Sequence, residues 1–182
     1  MDEKKSMFKE VMSWILYLVL IVGITFFIIT FVGQRTKVSG HSMENTLQDK
    51  DNLIVEKVSY RFRDPKRFEI VVFPYRQQPD VYYIKRIIGL PGETVQIMDG
   101  DIYIDGEKLD EDFGKEIIIE PGIAYYPITL GEDEYFVMGD NRNNSADSRV
   151  ADVGPIHRDE FIGRAFMRIW PLNKIGVLDH GE

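Results

Sequence analysis

The chain opens with one long apolar stretch. Residues 14–32 carry no ionisable side chain except Tyr17. As a helix rising about 1.5 Å per residue, this stretch would reach roughly 28 Å, close to the roughly 30 Å of a membrane's hydrocarbon core. It is longer than the apolar part of a cleavable signal peptide, about 7 to 15 residues, and no A-x-A pattern follows it. The pattern therefore predicts an uncleaved transmembrane anchor over 14–32.

The basic residues around this stretch favour one orientation. Three lysines precede it within the first nine residues, and two basic residues follow it closely. Lysine and arginine are enriched on the cytoplasmic side of membrane spans. We therefore expect residues 1–13 to be cytoplasmic and residues 33–182 to form an extracytoplasmic domain. The absence of cysteine is compatible with that location.

Beyond the anchor, the apolar residues form short β-branched or aromatic runs separated by turn formers. This is the pattern of an antiparallel β domain. The predicted strands are 53–58, 70–73, 81–88, 94–97, 102–104 and 135–138. Two Asp-Gly pairs, at 99–100 and 105–106, predict tight hairpins. The acidic, turn-rich stretch 98–130 is predicted to be a small inserted β lobe, and helix is expected only as single turns near Ser42 and Pro171.

Composition narrows the possible partners. The formal net charge is −8, which argues against nucleic-acid binding because that function favours a basic surface. No pair among the three histidines has metal-ligand spacing, so no metal and no cofactor are expected.

Lys85 is the first candidate for chemistry. Period-two alternation places Val81, Tyr83, Lys85 and Ile87 on one face of a strand. Burial among apolar neighbours would lower the lysine pKa from about 10.4 and make the neutral amine available as a general base. The alternative is a lysine at the edge of the sheet whose ammonium reaches solvent.

Ser42, in the run Val38-Ser39-Gly40-His41-Ser42-Met43, is the candidate nucleophile. By itself such a serine is more typical of a helix N-cap. The two interpretations are compatible, because N–H groups at a helix start can also stabilise an oxyanion.

The polar segment 139–149 allows three interpretations. A calcium loop is one, but Arg142 stands where an oxygen ligand is required. A solvated loop is the second, and a polar loop packed against an active site is the third.

Together these segments resemble type I signal peptidases. Residues 39–47 are similar to the family's serine box S-G-x-S-M-x-P-T-L, and residues 83–93 match its lysine box. Residues 139–149 match its G-D-N-R-x-x-S-x-D-S-R box at every defined position. Residues 49–57 resemble the intervening box, and the resemblance covers nearly the whole chain. The single span and short form look like the enzymes of Gram-positive bacteria.

The resemblance implies a fold and a function. The fold would be mainly β, with one transmembrane helix followed by an antiparallel β-barrel-like catalytic domain. The function would be that of a membrane-bound serine endopeptidase with a Ser/Lys dyad. Its substrates would be secretory preproteins with small residues at positions −3 and −1, bound as an added strand.

The same resemblance implies roles for individual residues. Ser42 would be the nucleophile, Lys85 the general base, and Ser145 a hydrogen-bonding partner that orients the lysine. The oxyanion hole would use the Ser42 N–H together with the neighbourhood of Gly40 or a nearby hydroxyl. The remaining assignments are Asp147 and Arg149 as a pair that braces the loop, and Met43 and Tyr83 in the substrate cleft.

The chain departs from the family pattern at two positions. Asn45 stands where the family usually has proline, and Lys50 where it usually has glycine. Because asparagine tolerates turns, we expect a modest effect on the rigidity of the loop after Ser42. His41 is expected to point away from Ser42 and to be a poor base for it.

Two other functions remain as alternatives. Self-cleaving stress-response repressors share a Ser/Lys dyad and a similar β-core, but they carry a DNA-binding module where this chain has an apolar span. A catalytically impaired, membrane-anchored scaffold is the other alternative. It would be marked by loss of the serine or the lysine, and both are present.

Overall fold

The computed structural model describes residues 2–27, 33–114 and 116–181. Parts of four predicted segments lie outside the described residues. These are residues 28–32 of the anchor, residue 1 of the cytoplasmic segment, residue 115 of the lobe and residue 182 of the extracytoplasmic domain.

Helix α1 covers Asp2–Phe27 and so begins well before the predicted anchor. Its segment Lys9–Phe26 is long and apolar enough to cross a membrane. Every side chain in that segment is exposed, so the helix buries none of this apolar surface against the protein. Exposed apolar surface costs about 25 cal/mol per Å² in water, which makes lipid the favourable surroundings for it.

The remainder of the described chain is mainly antiparallel β, as predicted. Its strands are β1 (Gly33–Lys37), β2 (Asn52–Glu56), β3 (Ile70–Tyr75), β4 (Gln78–Gly89), β5 (Thr94–Met98), β6 (Asp101–Ile104), β7 (Glu107–Lys108), β8 (Ile128–Thr129), β9 (Glu134–Met138), β10 (Ile156–His157), β11 (Gly163–Trp170) and β12 (Gly176–Val177). Short 3₁₀ helices lie at Ser59–Arg61, Gly122–Tyr125, Arg158–Glu160 and Leu172–Lys174. The last of these is the turn expected near Pro171.

The larger sheet has the order β1-β2-β11-β3-β4-β9-β10, with β12 beside β11. Strand β4 pairs along one side with β3, where Val71 faces Lys85. On its other side β4 pairs with β9 only between Arg86 and Gly89. Strand β1 pairs only with β2 among the described strands. The first half of β4 and the outer side of β1 therefore each present an unpaired edge.

The smaller sheet has the order β7-β6-β5-β8. Both predicted Asp-Gly hairpins are present: Asp99 and Gly100 have φ 52° and 85°, and Asp105 and Gly106 have 52° and 84°. Positive φ at both positions is the signature of the type I′ turn. This sheet already begins at Thr94, so the predicted lobe boundary at 98 falls on the last residue of β5.

All six predicted strands are present, but six others, β1, β7, β8, β10, β11 and β12, were not among the predicted strands. Strand β11 lies inside the larger sheet between β2 and β3. Two arginines interrupt its apolar pattern, Arg164 and Arg168, and both pair with carboxylates in the fold. Strand β1 is short and polar and is defined by its pairing with β2.

One apolar cluster lies beneath the segment that contains Ser42. Val38 and Met43 from that segment are buried together with Ile84 of β4 and with residues of β2 and β3. Because these side chains share one core, the Ser42 segment and β4 are held in a fixed relation to each other.

Candidate active site

Ser42 lies in a tight turn between β1 and β2. The N–H of Glu44 donates to the His41 carbonyl at 3.1 Å, and that of Leu47 donates to the Met43 carbonyl at 2.8 Å. The turn does not continue into a helix, so Ser42 is not the N-cap of one. The buried side chains of Met43 and Leu47 anchor the turn to the core.

Lys85 is almost completely buried, at 3 % exposure. Its Nζ donates hydrogen bonds to Ser42 Oγ at 2.8 Å and to the Ile84 carbonyl at 3.1 Å. The same atom lies 4.8 Å from the centre of the Tyr83 ring. Burial lowers the pKa of Lys85 to about 8, although the charge of Asp147 opposes this change. A substantial fraction of Lys85 is therefore neutral slightly above neutral pH.

The loop 139–149 packs against this pair and is braced from inside. The carboxylate of Asp147, fully buried, accepts the N–H of Gly139 at 3.0 Å. It also accepts Nε and Nη2 of Arg149, each at 2.8 Å. Two parallel bonds to a guanidinium fix its geometry as well as its charge. The predicted pairing of Asp147 with Arg149 is thus present.

Ser145 lies beside the dyad, but its predicted hydrogen bond to Lys85 is not formed in this structure. A Cβ at Gly139 would collide with both Ser145 Oγ and the Ser42 carbonyl. The two oxygens are therefore close together against the Gly139 α-carbon. Lys85 donates to Ser42 and Ile84 instead, and Ser145 Oγ is buried without a hydrogen-bond partner among the described residues.

A second buried ion pair, which the motifs did not predict, connects the loop to β4. Arg86 Nε and Nη2 donate to the two carboxylate oxygens of Asp140, each at 2.8 Å, and both side chains have no solvent exposure. Asp140 also accepts the Thr46 hydroxyl, and the Asn141 N–H donates to the Ser42 carbonyl at 3.0 Å. The sequence features that could have indicated this pair are Arg86, directly after Lys85, and Asp140, ahead of Ser145.

A third buried pair joins the loop to the segment after β7. Arg142 Nη1 lies 2.7 Å from Glu111 Oε1, with 2 % and 7 % of the two side chains exposed. Glu111 belongs to the acidic stretch predicted to be a lobe, and no role was predicted for it. A buried arginine requires a carboxylate partner, but sequence spacing does not identify which one.

Gly40 has a left-handed backbone with φ 99°, a conformation that favours glycine. Its N–H donates to Asp49 Oδ1 at 3.1 Å. The Ser42 N–H, in contrast, has no acceptor within the described residues. The Ser42 N–H is therefore available as a donor, whereas the Gly40 N–H is already engaged; a nearby hydroxyl as the second donor stays a prediction.

Both departures from the family motifs lie at strained backbone positions. Asn45 has φ 99° and Lys50 has φ 71°. Proline is restricted to φ near −65°, so it could not replace Asn45 in this turn. Glycine, in contrast, would suit the conformation of Lys50.

Each of the three histidines contacts a group other than Ser42 and Lys85. His41 Nδ1 lies 2.6 Å from Glu44 Oε1, so its ring is engaged away from Ser42. His157 lies beside Glu134, and His180 Nδ1 accepts the Ile70 N–H.

A cleft of about 500 Å³ opens on Ser42 and Lys85. Ser42, Met43, Tyr83 and Lys85 all line it, so the predicted nucleophile, base and cleft residues come together. Its walls are residues 36–43, which continue from the unpaired edge of β1, and residues 80–85, which form the unpaired edge of β4. Asn144 and Ala146 of the loop 139–149 also line it. A wider depression of about 1030 Å³ is lined largely by charged groups around Arg76 and includes none of these residues.

Comparison with known proteins gives consistent matches. The profile of the family described as "Signal peptidase, peptidase S26" matches residues 11–170. A probable signal peptidase I-2 of Synechocystis sp. is 45% identical over 155 residues, which are 82% of this chain and 68% of that protein. A signal peptidase I of Bacillus amyloliquefaciens is 34% identical over 95% of both chains. A crystal structure of a signal peptidase I from Enterococcus faecalis V583 aligns with 34% identity and a TM-score of 0.47, covering 56% of this chain and 97% of that one.

Proposed function

Because the chain belongs to the signal peptidase family, peptidase S26, we propose that it is a membrane-anchored serine endopeptidase that removes signal peptides from secretory preproteins. Ser42 is the nucleophile and Lys85 the general base. The main support for the proposal is the 2.8 Å hydrogen bond between Lys85 Nζ and Ser42 Oγ. The lysine is buried, and this burial lowers its pKa to about 8.

The first half of the reaction forms an acyl-enzyme. Neutral Lys85 takes the proton of Ser42 Oγ as this oxygen attacks the carbonyl carbon of the −1 residue. The Ser42 N–H, which has no other acceptor in the described protein, stabilises the resulting oxyanion. Lys85 then gives the proton to the departing amine, the peptide bond breaks, and the mature protein leaves with a new N-terminus.

The second half hydrolyses the ester on Ser42. Lys85 takes a proton from water as the water oxygen attacks the acyl carbon, and Ser42 Oγ leaves and recovers that proton. In the ester, Ser42 Oγ no longer carries a proton to share with the amine. Ser145 is then the partner that keeps Lys85 oriented, because its buried hydroxyl has no other hydrogen bond among the described groups.

The other predicted site residues have a structural role, because they hold the loop and the Ser42 turn in position. Asp147 and Arg149 hold the loop in place through their two bonds and through the Gly139 N–H. The left-handed backbone of Gly40 directs the chain into the Ser42 turn, and its N–H is fixed by Asp49.

The cleft suits an extended peptide. Two unpaired strand edges form its walls, so a peptide inserted between them gains main-chain hydrogen bonds as an added strand. Met43 and Ile84 make the floor beside the dyad apolar and well packed, which favours small side chains at −1 and −3.

Membrane anchoring by residues 14–32 completes the proposal. It rests on the exposed apolar helix Lys9–Phe26. Residues 1–13 are cytoplasmic and the catalytic domain, 33–182 with its inserted lobe 98–130, is extracytoplasmic. Protease added outside right-side-out vesicles should then digest the domain while a tag at the N-terminus stays protected. Digestion of the tag instead would reverse the orientation.

The function is tested by cleavage of a preprotein with alanine at −3 and −1 by the full chain in detergent. We expect one cut after −1, read by mass spectrometry. A substrate with a bulky residue at −1 and the Ser42→Ala variant should both give no cut. Cleavage of the bulky substrate at an equal rate would contradict the assigned specificity, and an active Ser42→Ala would contradict the assigned nucleophile.

A further inference from the structure

We infer that Glu111 and Phe113, in the segment after β7, are positioning residues for the dyad. They contact the two arginines that hold the loop 139–149 against the Ser42 turn. The inference rests on the proposed function for its effect on activity, but the contacts themselves do not depend on it. We refer to residues 111–114 as the lobe clamp.

The first contact of the lobe clamp is the buried pair of Glu111 with Arg142. Glu111 is itself held in place, because its second oxygen accepts the N–H of Phe113 at 2.9 Å and that of Gly114 at 3.3 Å. A Cβ on Gly114 would collide with the Arg142 guanidinium. The carboxylate and the glycine backbone therefore fix the position of this arginine.

Arg142 transmits that position to the site. Its Nε donates to the Gly139 carbonyl at 3.2 Å. Gly139 is the residue whose α-carbon lies against the Ser42 carbonyl and Ser145 Oγ. A displaced Arg142 would thus release the residue on which the Ser42 turn packs.

The second contact of the lobe clamp is the Phe113 ring, whose centre lies 3.6 Å from Arg86 Cζ. Arg86 directly follows Lys85 and forms the unexposed pair with Asp140. A ring at this distance covers one face of the guanidinium and favours the cation. The lobe clamp therefore contacts the loop from one side and the strand that carries Lys85 from the other.

This arrangement should affect the rate more than binding. Removing the Glu111 charge leaves a buried Arg142 without its counter-ion and frees Gly139 to move. Displacement of a reacting group by about 1 Å can cost roughly 100-fold in rate. Most of the cleft lining belongs to residues 36–43 and 80–85, and only Asn144 and Ala146 come from the loop, so substrate affinity should change less than the rate.

The test compares Glu111→Gln with Glu107→Gln, an exposed residue of β7 that loses the same charge. We expect kcat per folded molecule to fall at least about tenfold in Glu111→Gln, with KM within about twofold and partial recovery in Glu111→Asp. Glu107→Gln should match wild type. If Glu111→Gln folds poorly, Gly114→Ala keeps every charge and places a methyl group against Arg142, and it should lower kcat in the same way.

Amide hydrogen exchange provides a readout that does not depend on cleavage. In Glu111→Gln the amides of 139–149 should exchange faster than in Glu107→Gln, with those of the preceding strand β9 unchanged. Faster loop exchange with a lower kcat supports the inference. Unchanged loop exchange, or unchanged kcat with only a lower melting temperature, would overturn it. If wild type itself did not cleave, the proposed function would fail, while the exchange data would still decide whether Glu111 positions the loop.

Discussion

Lys85 Nζ and Ser42 Oγ are 2.8 Å apart and lie on two segments that share one apolar core. The lysine is buried, so its charged form is disfavoured where the serine needs a base. Activity should therefore rise with pH as Lys85 loses its proton, with a midpoint near 8. A profile of kcat against pH measures this midpoint, and constant activity from pH 5 to about 9 would contradict it.

Burial of Lys85 should also cost stability. Below pH 8 the lysine is charged in the folded and unfolded states, and the full cost is present, about 3 kcal/mol for a pKa lowered from 10.5 to about 8. Above about 10.5 it is neutral in both states and the cost disappears. Lys85→Met should therefore raise the free energy of unfolding by up to about 3 kcal/mol at pH 7, and the gain should shrink between pH 8 and 10.5. Urea unfolding in detergent at several pH values measures it, and a gain independent of pH would be inconsistent with a buried cation.

The charge of Asp147 raises the pKa of Lys85, whereas that of Arg149 lowers it. Asp147→Asn keeps the shape of the side chain but removes its charge. The midpoint of the pH profile should then move below that of wild type. The fold should lose about 3 kcal/mol, because Arg149 stays buried without its counter-ion. A midpoint that moves upward would show that another group determines the titration.

Lys50 is exposed and adopts φ 71°, where a side chain costs roughly 1 kcal/mol. Lys50→Gly should remove this strain. Because glycine has greater freedom in the unfolded chain, part of the gain is offset, and the net stabilisation should be up to about 1 kcal/mol. Lys50→Ala, which keeps the strain, is the matched control. Equal melting temperatures for the glycine and alanine variants would show that the strain is not relieved.

Asn45 has φ 99°, so the family's usual proline should be harmful here. Asn45→Pro should reduce both stability and cleavage, by about 3 kcal/mol or more in the free energy of unfolding. Asn45→Gly fits the same backbone and should keep wild-type activity. The two variants are compared by thermal unfolding and by cleavage rate, and an Asn45→Pro protein as stable and active as wild type would mean that the turn can adopt another conformation.

The sequence predicted those parts of the fold whose signals are local. The six predicted strands are runs of β-branched and aromatic residues between turn formers, and the two hairpins follow from Asp-Gly pairs. Strand β11 was missed because its arginines resemble an exposed segment until Glu56, Glu69 and Asp51 are brought next to them.

The candidate site likewise contains residues that local motifs identify and residues whose role depends on the tertiary fold. Ser42, Lys85 and the segment 139–149 were identified from motifs, and the structure brings them together. Glu111 was not, because its importance arises from a buried contact with Arg142 that only the tertiary fold creates. Ser145 Oγ is buried without a hydrogen-bond partner among the described residues, and this too depends on packing that the sequence does not reveal.

The most direct test of the dyad is cleavage of one preprotein by wild type and by Lys85→Met at pH 8.5, with folding verified for both and the cut site read by mass spectrometry. The methionine side chain would fill the same buried space without supplying a base. We expect a single cut after the −1 residue by wild type and none by the variant. Cleavage at the same bond and a comparable rate by folded Lys85→Met would contradict the assignment of Lys85 as the base for Ser42.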